Sequence, residues 1–301
     1  MSDMTIIVTG SSGLLGSALV KALRADGARV VCLVRRVPRD SDESFWNPEK
    51  GIVDPAALEG AEAVVHLAGA GLGDRRWTDD YKREVVRSRV KGTGTLVEAL
   101  TGLSAKPPVL LSGSAVGFYG DTGDRAVDET APPGTGFLAE EVVVPWEAAT
   151  APAEEAGIRV VLLRTGLVLS GDGGILSRIL PIFKLGLGAP LGSGRQYWSW
   201  ISAEDWVLAV QNLIKNPEIS GPVNLTAPEP VTNAEFTRAL GEALHRPTMP
   251  LAVPGILLRT ALGGFAEEGV LIGQRVLPRR LLDSGHAFRH TRLNEALATV
   301  L

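Results

Sequence analysis

The sequence is poor in the residues that build disulfides, metal sites and membrane spans. Its 301 residues include only one cysteine and four histidines. Cys32 alone can form neither an internal disulfide nor a thiolate metal site. No apolar run approaches the roughly eighteen residues of a membrane helix, and no basic segment precedes the first apolar run. We therefore expect no metal, no membrane contact and a cytoplasmic location.

The chain also lacks a marked excess of charge of either sign. Its 30 basic residues are nearly balanced by 34 acidic residues, which gives a formal net charge of −4. This balance argues against a nucleic-acid partner and against a polybasic membrane patch. Because 45% of the residues are hydrophobic, the chain can bury a sizeable core. We expect a globular protein that binds a small molecule, as a monomer or a homodimer.

Short β-rich runs alternate with helical patterns through the first half of the chain. The predicted strands lie at 5–9, 30–34, 63–67, 108–112 and 158–163, and the predicted helices at 14–25, 79–100 and 138–155. This alternation is typical of βαβ units and predicts an α/β fold with a Rossmann-like, doubly wound parallel sheet. Pro145 should break or kink the last helix unless a second helical segment begins at Trp146.

The composition changes after Gly166. Glycine and proline become frequent up to residue 194, which predicts loops and a lid. A helix over 203–215, capped by Ser202, and a strand over 222–225 then predict a return to the first sheet. The remaining residues follow a helical pattern interrupted by prolines. We expect them to form a smaller, mostly helical C-terminal substrate lobe.

Three glycines follow the first predicted strand at three-residue spacing. Gly10, Gly13 and Gly16 lie between a strand and a helix inside a βαβ unit, which is the context of a dinucleotide-binding turn. A pyrophosphate needs close backbone approach and free amides at a helix N-terminus. We expect it to contact Gly10, Ser12, Gly13 and Leu14, and we expect Gly16 to let the helix pack on the sheet. An ordinary tight turn is the alternative.

The end of the second strand predicts which dinucleotide is bound. Arg35 and Arg36 stand where an acidic residue would bind a ribose 2′-hydroxyl, and guanidinium groups suit a 2′-phosphate instead. NADP is therefore predicted rather than NAD, the alternative being two solvated charges. Leu67 and Ala68, at the end of a later strand, are candidates for contact with the cofactor. His66 is predicted to be a core histidine rather than a catalyst.

On this basis we expect residues 1–168 to form an NADP-binding domain, with a return segment at about 202–226. Residues 169–201 and 227–301 then form the substrate lobe. Asp54 precedes Pro55 and could contact adenine, but a helix N-cap is the favoured prediction.

These features resemble the extended branch of the short-chain dehydrogenase/reductase superfamily. Within that branch the chain resembles the atypical "epimerase family" proteins related to the bacterial sugar-nucleotide epimerase homologue YfcH. The resemblance covers essentially the whole chain, and its last stretches are the ones specific to this subgroup. The matching stretches are 9–16, 66–69, 75–78, 88–93, 112–120, 146–149, 164–166, 192–201, 246–247, 274–278 and 288–290.

The resemblance implies a catalytic serine, tyrosine and lysine, the last two in a Y-x-x-x-K helix motif. This chain departs from the pattern, because its tyrosines at 81, 119 and 197 are followed four residues later by Val, Gly and Ile. The serine is retained as Ser114, which could bond a substrate oxygen or only cap the strand end. The proton-transfer candidates are Tyr119, water, or one of the glutamates 140, 141 and 147 of the predicted helix.

The resemblance also implies further binding residues. Glu84 and Arg89 are expected to contact the nucleotide, although a surface salt network is the alternative. Val168 is expected beside the nicotinamide or in the core of a strand. Arg195 stands where related epimerases hold substrate phosphates, and a solvated loop arginine is the alternative.

Two functions are compatible with these expectations. One is an NADP-dependent oxidoreductase or epimerase that acts on an alcohol, a carbonyl compound or a nucleotide sugar, with Ser114 orienting the reacting oxygen. The other is a non-catalytic NADP-binding sensor or regulatory scaffold, which the missing tyrosine and lysine favour.

Overall fold

The computed structural model describes residues 4–301 as a mixed α/β fold. Its strands are β1 (Thr5–Thr9), β2 (Arg29–Val34), β3 (Glu43–Asn47), β4 (Ile52–Val53), β5 (Ala63–His66), β6 (Val109–Ala115), β7 (Ala126–Val127), β8 (Arg159–Thr165), β9 (Leu167–Ser170), β10 (Tyr197–Trp198), β11 (Trp200–Ser202), β12 (Gly221–Leu225), β13 (Val231–Thr232) and β14 (Arg275–Val276). Its α-helices are α1 (Leu14–Ala25), α2 (Asp79–Thr101), α3 (Val144–Ala148), α4 (Ala151–Glu155), α5 (Gly174–Lys184), α6 (Ala203–Lys215), α7 (Asn233–Ala243), α8 (Gly255–Leu262), α9 (Arg279–Asp283) and α10 (Leu293–Val300).

Eight of these strands form one sheet, in the order β12-β8-β6-β5-β1-β2-β3-β4. Every neighbouring pair is parallel except β3 and β4. The predicted Rossmann-like parallel sheet is therefore confirmed. The strand order reverses between β1 and β5, and ligands of such sheets bind at the carboxyl ends of the strands beside this reversal.

Alternate residues of the central strands pack into two separate cores. On β1, Ile6 and Val8 face the side covered by α1 and α6, whereas Ile7 faces the side covered by α2 and α4. All three side chains are almost fully buried. Each such aliphatic side chain contributes about 1.5–3 kcal/mol of hydrophobic stabilisation. Apolar residues at every position, rather than every second one, are what a strand covered on both faces requires.

The helices begin where the sequence supplies caps. The Thr78 side chain accepts a hydrogen bond from the amide of Tyr81 at the start of α2, and Asp79 and Asp80 follow in its first turn. Ser202 caps α6 by accepting from the amide of Asp205, as predicted. Asp54 accepts from the amide of Ala56 and caps a short 3₁₀ turn, which is the favoured prediction for this residue.

The segment around Pro145 is helical but not continuous. A π-helical stretch, Phe137–Val143, leads into α3, where Pro145 occupies the first turn and needs no intrahelical amide partner. Pro152 occupies the same place in α4. The helix therefore changes from π to α at Val144 and runs through Pro145, and the turn that interrupts it lies at 149–150 rather than at the predicted position.

The prediction of loops and a lid after Gly166 was partly wrong. This region contains β9, the eleven-residue helix α5 and the short strands β10 and β11. The α5 helix forms in spite of Pro181 because Leu176 and Phe183 are buried in a core shared with Trp200 and Phe236. Packing of this apolar face outweighs the cost of the proline.

The C-terminal segment is fixed to the start of α6 by a buried carboxylate. Asp205 accepts hydrogen bonds from the amides of Arg289 and His290 at 2.7 and 3.0 Å. Ser202 lies 3.0 Å from both Asp205 and the His290 ring, but all three side chains are buried, so this Ser-His-Asp group is structural. Within residues 4–301, no helix is long and apolar enough to cross a bilayer, and no cluster of three metal-ligand side chains occurs.

Candidate functional site

A cleft of about 1350 Å³ lies at the carboxyl edge of the sheet, beside the reversal between β1 and β5. It brings together residues from the glycine turn, the ends of β2 and β5, and the first turns of α2. The predicted cofactor-binding residues that line it are Gly10, Ser12, Gly13, Arg35, Arg36, Leu67, Ala68 and Glu84.

The geometry of the glycine turn requires two of its three glycines. Gly10 has a φ of +68°, and a Cβ there would lie 2.7 Å from the carbonyl carbon of Leu67. A Cβ at Gly16 would overlap the carbonyl oxygen of Gly10. Gly16 therefore lets α1 pack against the turn itself, rather than against the sheet as predicted. Its backbone lies behind the turn and does not line the cleft.

The first turn of α1 is open to an anion. Gly13 is the N-cap of α1, and no side chain of residues 4–301 caps the helix. The amides of the first turn of an α-helix have no intrahelical acceptor and carry the positive end of the helix dipole. A Cβ at Gly13 would contact only the Gly10 carbonyl oxygen, at 3.4 Å, so the space above the turn is clear. These amides are what a pyrophosphate needs.

Thr9 and His66 fix the end of β5 against the glycine turn. The hydroxyl of Thr9 accepts hydrogen bonds from the amides of Leu67 and Ala68 at 3.1 and 3.2 Å. With both lone pairs engaged, it donates its proton to Nδ1 of His66 at 2.8 Å, so the neutral ring carries its proton on Nε2. Complete burial lowers the pKa of His66 to about 4. His66 is thus a core histidine, as predicted.

Arg35 and Arg36 differ in their surroundings although both are exposed and line the cleft. The guanidinium of Arg36 donates to both carboxylate oxygens of Glu43, at 2.6 and 2.5 Å. No hydrogen bond or ion pair engages the Arg35 guanidinium within residues 4–301. Arg36 and the amide of Arg39 hold the pKa of Glu43 down at about 2.

Arg89 is a buried cation beside the cleft. It is 7% exposed, and its Nη1 donates to the carbonyls of Ala70 and Val85, whereas its Nε has no partner within residues 4–301. Burial lowers its pKa to about 10. The guanidinium lies over the ring of Trp146, 5.0 Å from its centroid. Arg89 thus supports the loop that follows β5 from below and does not itself line the cleft.

Ser114 lies in a buried polar network. Its hydroxyl donates to Oε1 of Glu147 at 2.5 Å, and Arg164 binds both oxygens of the same carboxylate at 2.8 Å. Ser112 pairs with His66 across β6 and β5, so Ser114 extends toward the same sheet edge as Ala68. Burial alone would lower the pKa of Arg164, but the bonds to Glu147 reverse this and raise it.

Tyr119 belongs to the same network rather than to the cleft. Its hydroxyl donates to Oδ1 of Asn224 at 2.7 Å and accepts from Nη1 of Arg164 at 3.0 Å. The residue is 3% exposed, and burial raises its pKa. Because this hydroxyl already donates one hydrogen bond and accepts another within the protein, it does not require a ligand as a partner. Its assignment as a proton-transfer group remains a prediction.

Three other predicted residues also lie away from the cleft lining. The Leu14 side chain packs beside Gly173 and Gly174. Val168 lies on β9 and packs against the core on the α1 side. Arg195 is exposed, with its amide bonded to the hydroxyl of Ser193 and its guanidinium unpaired within the described part of the chain.

Several residues that line the cleft were not predicted from the sequence. Glu43 and Cys32 are the clearest, and burial raises the pKa of the Cys32 thiol. Glu43 was missed because no strand was predicted over 43–47, so nothing placed it next to β2. Tyr81 and Arg75 lie on the opposite side of the cleft, where Arg75 forms a 3.7 Å ion pair with Glu84. The spacing of Tyr81 and Glu84 on one helix could have suggested this wall.

Comparisons with known proteins agree with this geometry. The NAD dependent epimerase/dehydratase family matches residues 6–225, and a domain of unknown function, DUF1731, matches residues 253–300. An epimerase family protein of Mycobacterium bovis is 52% identical over 297 residues, which cover 99% of this chain and 97% of that protein.

Two solved structures are also similar. The crystal structure of human epimerase family protein SDR39U1 (isoform 2) with NADPH has a TM-score of 0.91 and 31% identity, covering 99% of both chains. The nucleoside-diphosphate sugar epimerase of Corynebacterium glutamicum has a TM-score of 0.83 and 37% identity, covering 100% of this chain and 58% of that one.

Proposed function

Because the chain belongs to the NAD dependent epimerase/dehydratase family, we propose that its cleft binds NADP(H) and that it acts as an oxidoreductase or epimerase. The observation that carries this proposal is the glycine turn, whose uncapped helix N-terminus faces a cleft that Gly10 and Gly13 keep free of side chains. The human relative crystallised with NADPH supports the choice of cofactor.

The residues present fit this cofactor along the whole cleft. The amides at the start of α1 suit the pyrophosphate, and the unpaired guanidinium of Arg35 suits a 2′-phosphate. Leu67 and Ala68 offer an apolar edge to the riboses and rings. Arg89 supplies an unmatched buried positive charge just below the loop that follows β5. Residues 1–168, with the return segment at 202–226, are proposed to hold the cofactor.

When bound, the nicotinamide supplies a hydride donor or acceptor. What the chain itself supplies at the same sheet edge is Ser114, which does not line the cleft and whose hydrogen-bonding role is fixed by Glu147. A carboxylate held by Arg164 can only accept hydrogen bonds, so the Ser114 proton is directed to it. The free lone pairs of Ser114 then accept from a hydroxyl group. An alcohol, including a sugar hydroxyl, is the substrate chemistry that this arrangement suits.

The substrate is proposed to lie between the cleft and the lobe formed by residues 169–201 and 227–301. Arg195 is proposed to bind a phosphate of the substrate there, and Val168 is proposed to lie beside the nicotinamide of the cofactor. The name of the Corynebacterium relative, a nucleoside-diphosphate sugar epimerase, supports nucleotide sugars as one class to test.

A second candidate is a non-catalytic NADP-binding sensor or scaffold. Burial of the two catalytic candidates favours it. Ser114 is 5% exposed and Tyr119 is 3% exposed, and the hydroxyl of each donates a hydrogen bond to another side chain of the protein. Without a positioned general acid or base, a rate typically falls by roughly 10² to 10⁴.

The test is to measure NADPH oxidation and NADP⁺ reduction by absorbance with panels of carbonyl compounds and alcohols. With nucleotide sugars, formation of the epimer is measured by chromatography, because epimerisation leaves the net redox state of the cofactor unchanged. Turnover that Ser114→Ala abolishes while NADPH affinity is retained supports the enzyme. Stoichiometric NADPH binding without turnover, unchanged by Ser114→Ala, supports the sensor. Absence of binding to either dinucleotide contradicts both.

A further inference from the structure

The two neighbouring arginines at the end of β2 are not equally available to an anion. Nη1 and Nη2 of Arg36 both donate to Glu43, and Nη1 also donates to the carbonyl of Val37 at 3.0 Å. The planar fork that binds a phosphate with two parallel bonds is therefore already engaged by a carboxylate. Arg35 has no such partner within residues 4–301.

Glu43 is held firmly in this position. It begins β3, where it pairs with Cys32 of β2, and its side chain is only 15% exposed. Its Oε2 also accepts a hydrogen bond from the amide of Arg39 at 2.8 Å. Because its pKa is about 2, it stays ionised at every pH at which cofactor binding is measured.

We propose that Glu43 determines cofactor specificity by neutralising Arg36, so that the 2′-phosphate of NADP is held mainly by Arg35. This inference rests on the proposed function. For Arg36 to bind the phosphate it must leave Glu43, which then stands as an unpaired negative charge beside the phosphate. Discrimination against NAD is thus weaker than two free arginines would give.

The experiment measures dissociation constants for NADP⁺ and NAD⁺ by calorimetry with the full chain. Arg35→Ala should weaken NADP⁺ binding by about tenfold, the typical effect of losing a charge-assisted phosphate contact. Arg36→Ala should weaken it by less than about threefold. Glu43→Gln should strengthen NADP⁺ binding by about fivefold and change NAD⁺ binding by less than about twofold.

Two controls test whether the change in NADP⁺ affinity arises from neutralisation of Arg36 by Glu43 or from a general change in charge near the cleft. Arg39→Ala removes one positive charge near the cleft without removing a lining residue, and should change NADP⁺ affinity by less than about twofold. In the double variant Arg36→Ala/Glu43→Gln, the gain caused by Glu43→Gln should shrink by at least about threefold. Glu43→Gln and Arg36→Ala each break the ion pair and lower the stability, so the melting temperature of every variant is measured and affinities are compared at a temperature at which all variants are folded.

Three results would overturn the inference: Glu43→Gln weakens NADP⁺ binding, its gain persists without Arg36, or Arg36→Ala costs as much as Arg35→Ala. If the wild-type chain binds NADP⁺ and the variants give any of these results, only the role of Glu43 is contradicted and the proposed function stands. A wild-type chain that binds neither dinucleotide contradicts the proposed function, and this inference falls with it.

Discussion

Ser114 and Glu147 are joined by a 2.5 Å hydrogen bond between a strand end and a helix that are 33 residues apart in the chain. Glu147 lies on α3, and Arg164 of β8 holds its carboxylate from the other side. The polar centre at this sheet edge is therefore a serine linked to a buried ion pair.

Glu147→Gln should destabilise the fold strongly. Arg164 would remain buried without a carboxylate partner, and breaking a buried ion pair in this way costs about 3–5 kcal/mol. The free energy of unfolding in urea measures the loss. Glu267→Gln is the matched control, because it breaks an exposed pair with Arg259 and should cost less than about 1 kcal/mol. Similar small losses in both variants would contradict the role of the buried pair.

Gly16→Ala should weaken both the fold and cofactor binding, because its Cβ overlaps the carbonyl oxygen of Gly10 and displaces the turn. We expect a loss of about 1–3 kcal/mol in unfolding free energy and at least a tenfold weaker NADPH affinity. Gly94→Ala in α2 is the control, since nothing lies within 4 Å of its Cβ. That change should stabilise the protein by up to about 1 kcal/mol and leave NADPH affinity unchanged. Equal behaviour of the two variants would show that the turn tolerates a side chain at Gly16.

The stability of the fold should decrease as the pH falls below 6.5. His66 has a pKa of about 4 in the folded protein and 6.5 as its ordinary value, so over this interval the unfolded chain binds a proton that the folded chain does not. This difference is worth up to about 3 kcal/mol. Urea unfolding at a series of pH values measures it. In His66→Gln the decrease between these pH values should become shallower, and an unchanged slope would assign the effect to other groups.

The affinity for NADP⁺ should rise with pH in a way that the affinity for NAD⁺ does not. A phosphate monoester loses its second proton near pH 6, which strengthens its bonds to Arg35. From about pH 5.5 to about pH 7.5 we expect a gain of about fivefold for NADP⁺, measured by calorimetry. If NAD⁺ shows the same gain, the titrating group belongs to the protein and not to the 2′-phosphate.

Most of the first half of the fold was predictable because its signals are local, whereas β3 and β4 were not predicted. The apolar run of β1, the stripe of α1 and the glycines between them all lie within about twenty residues, and the structure confirms both elements at the predicted residues. In the second half, α5 was missed because the glycines at its N-terminal end and Pro181 masked an apolar face that packs only in the folded chain.

For the candidate site, the sequence predicted residues at the ends of strands but not the side chains that contact them. Gly10, Arg35 and Ala68, which lie at the ends of strands, all line the cleft because parallel strands end at one edge, and their contacts with a cofactor stay predictions. The partners of those residues were not predictable. Glu43 meets Arg36 only through the pairing of β3 with β2, and Glu147 meets Ser114 only through the packing of α3 on β6.

Calorimetric titration of the wild-type chain with NADPH and with NADH tests the central claim most directly. The account predicts saturable binding of one NADPH per chain, about tenfold tighter than NADH because of the added phosphate contact. No heat of binding and no rise in melting temperature with either dinucleotide would contradict the account of the glycine turn. Equal affinity for the two would contradict the role given to Arg35.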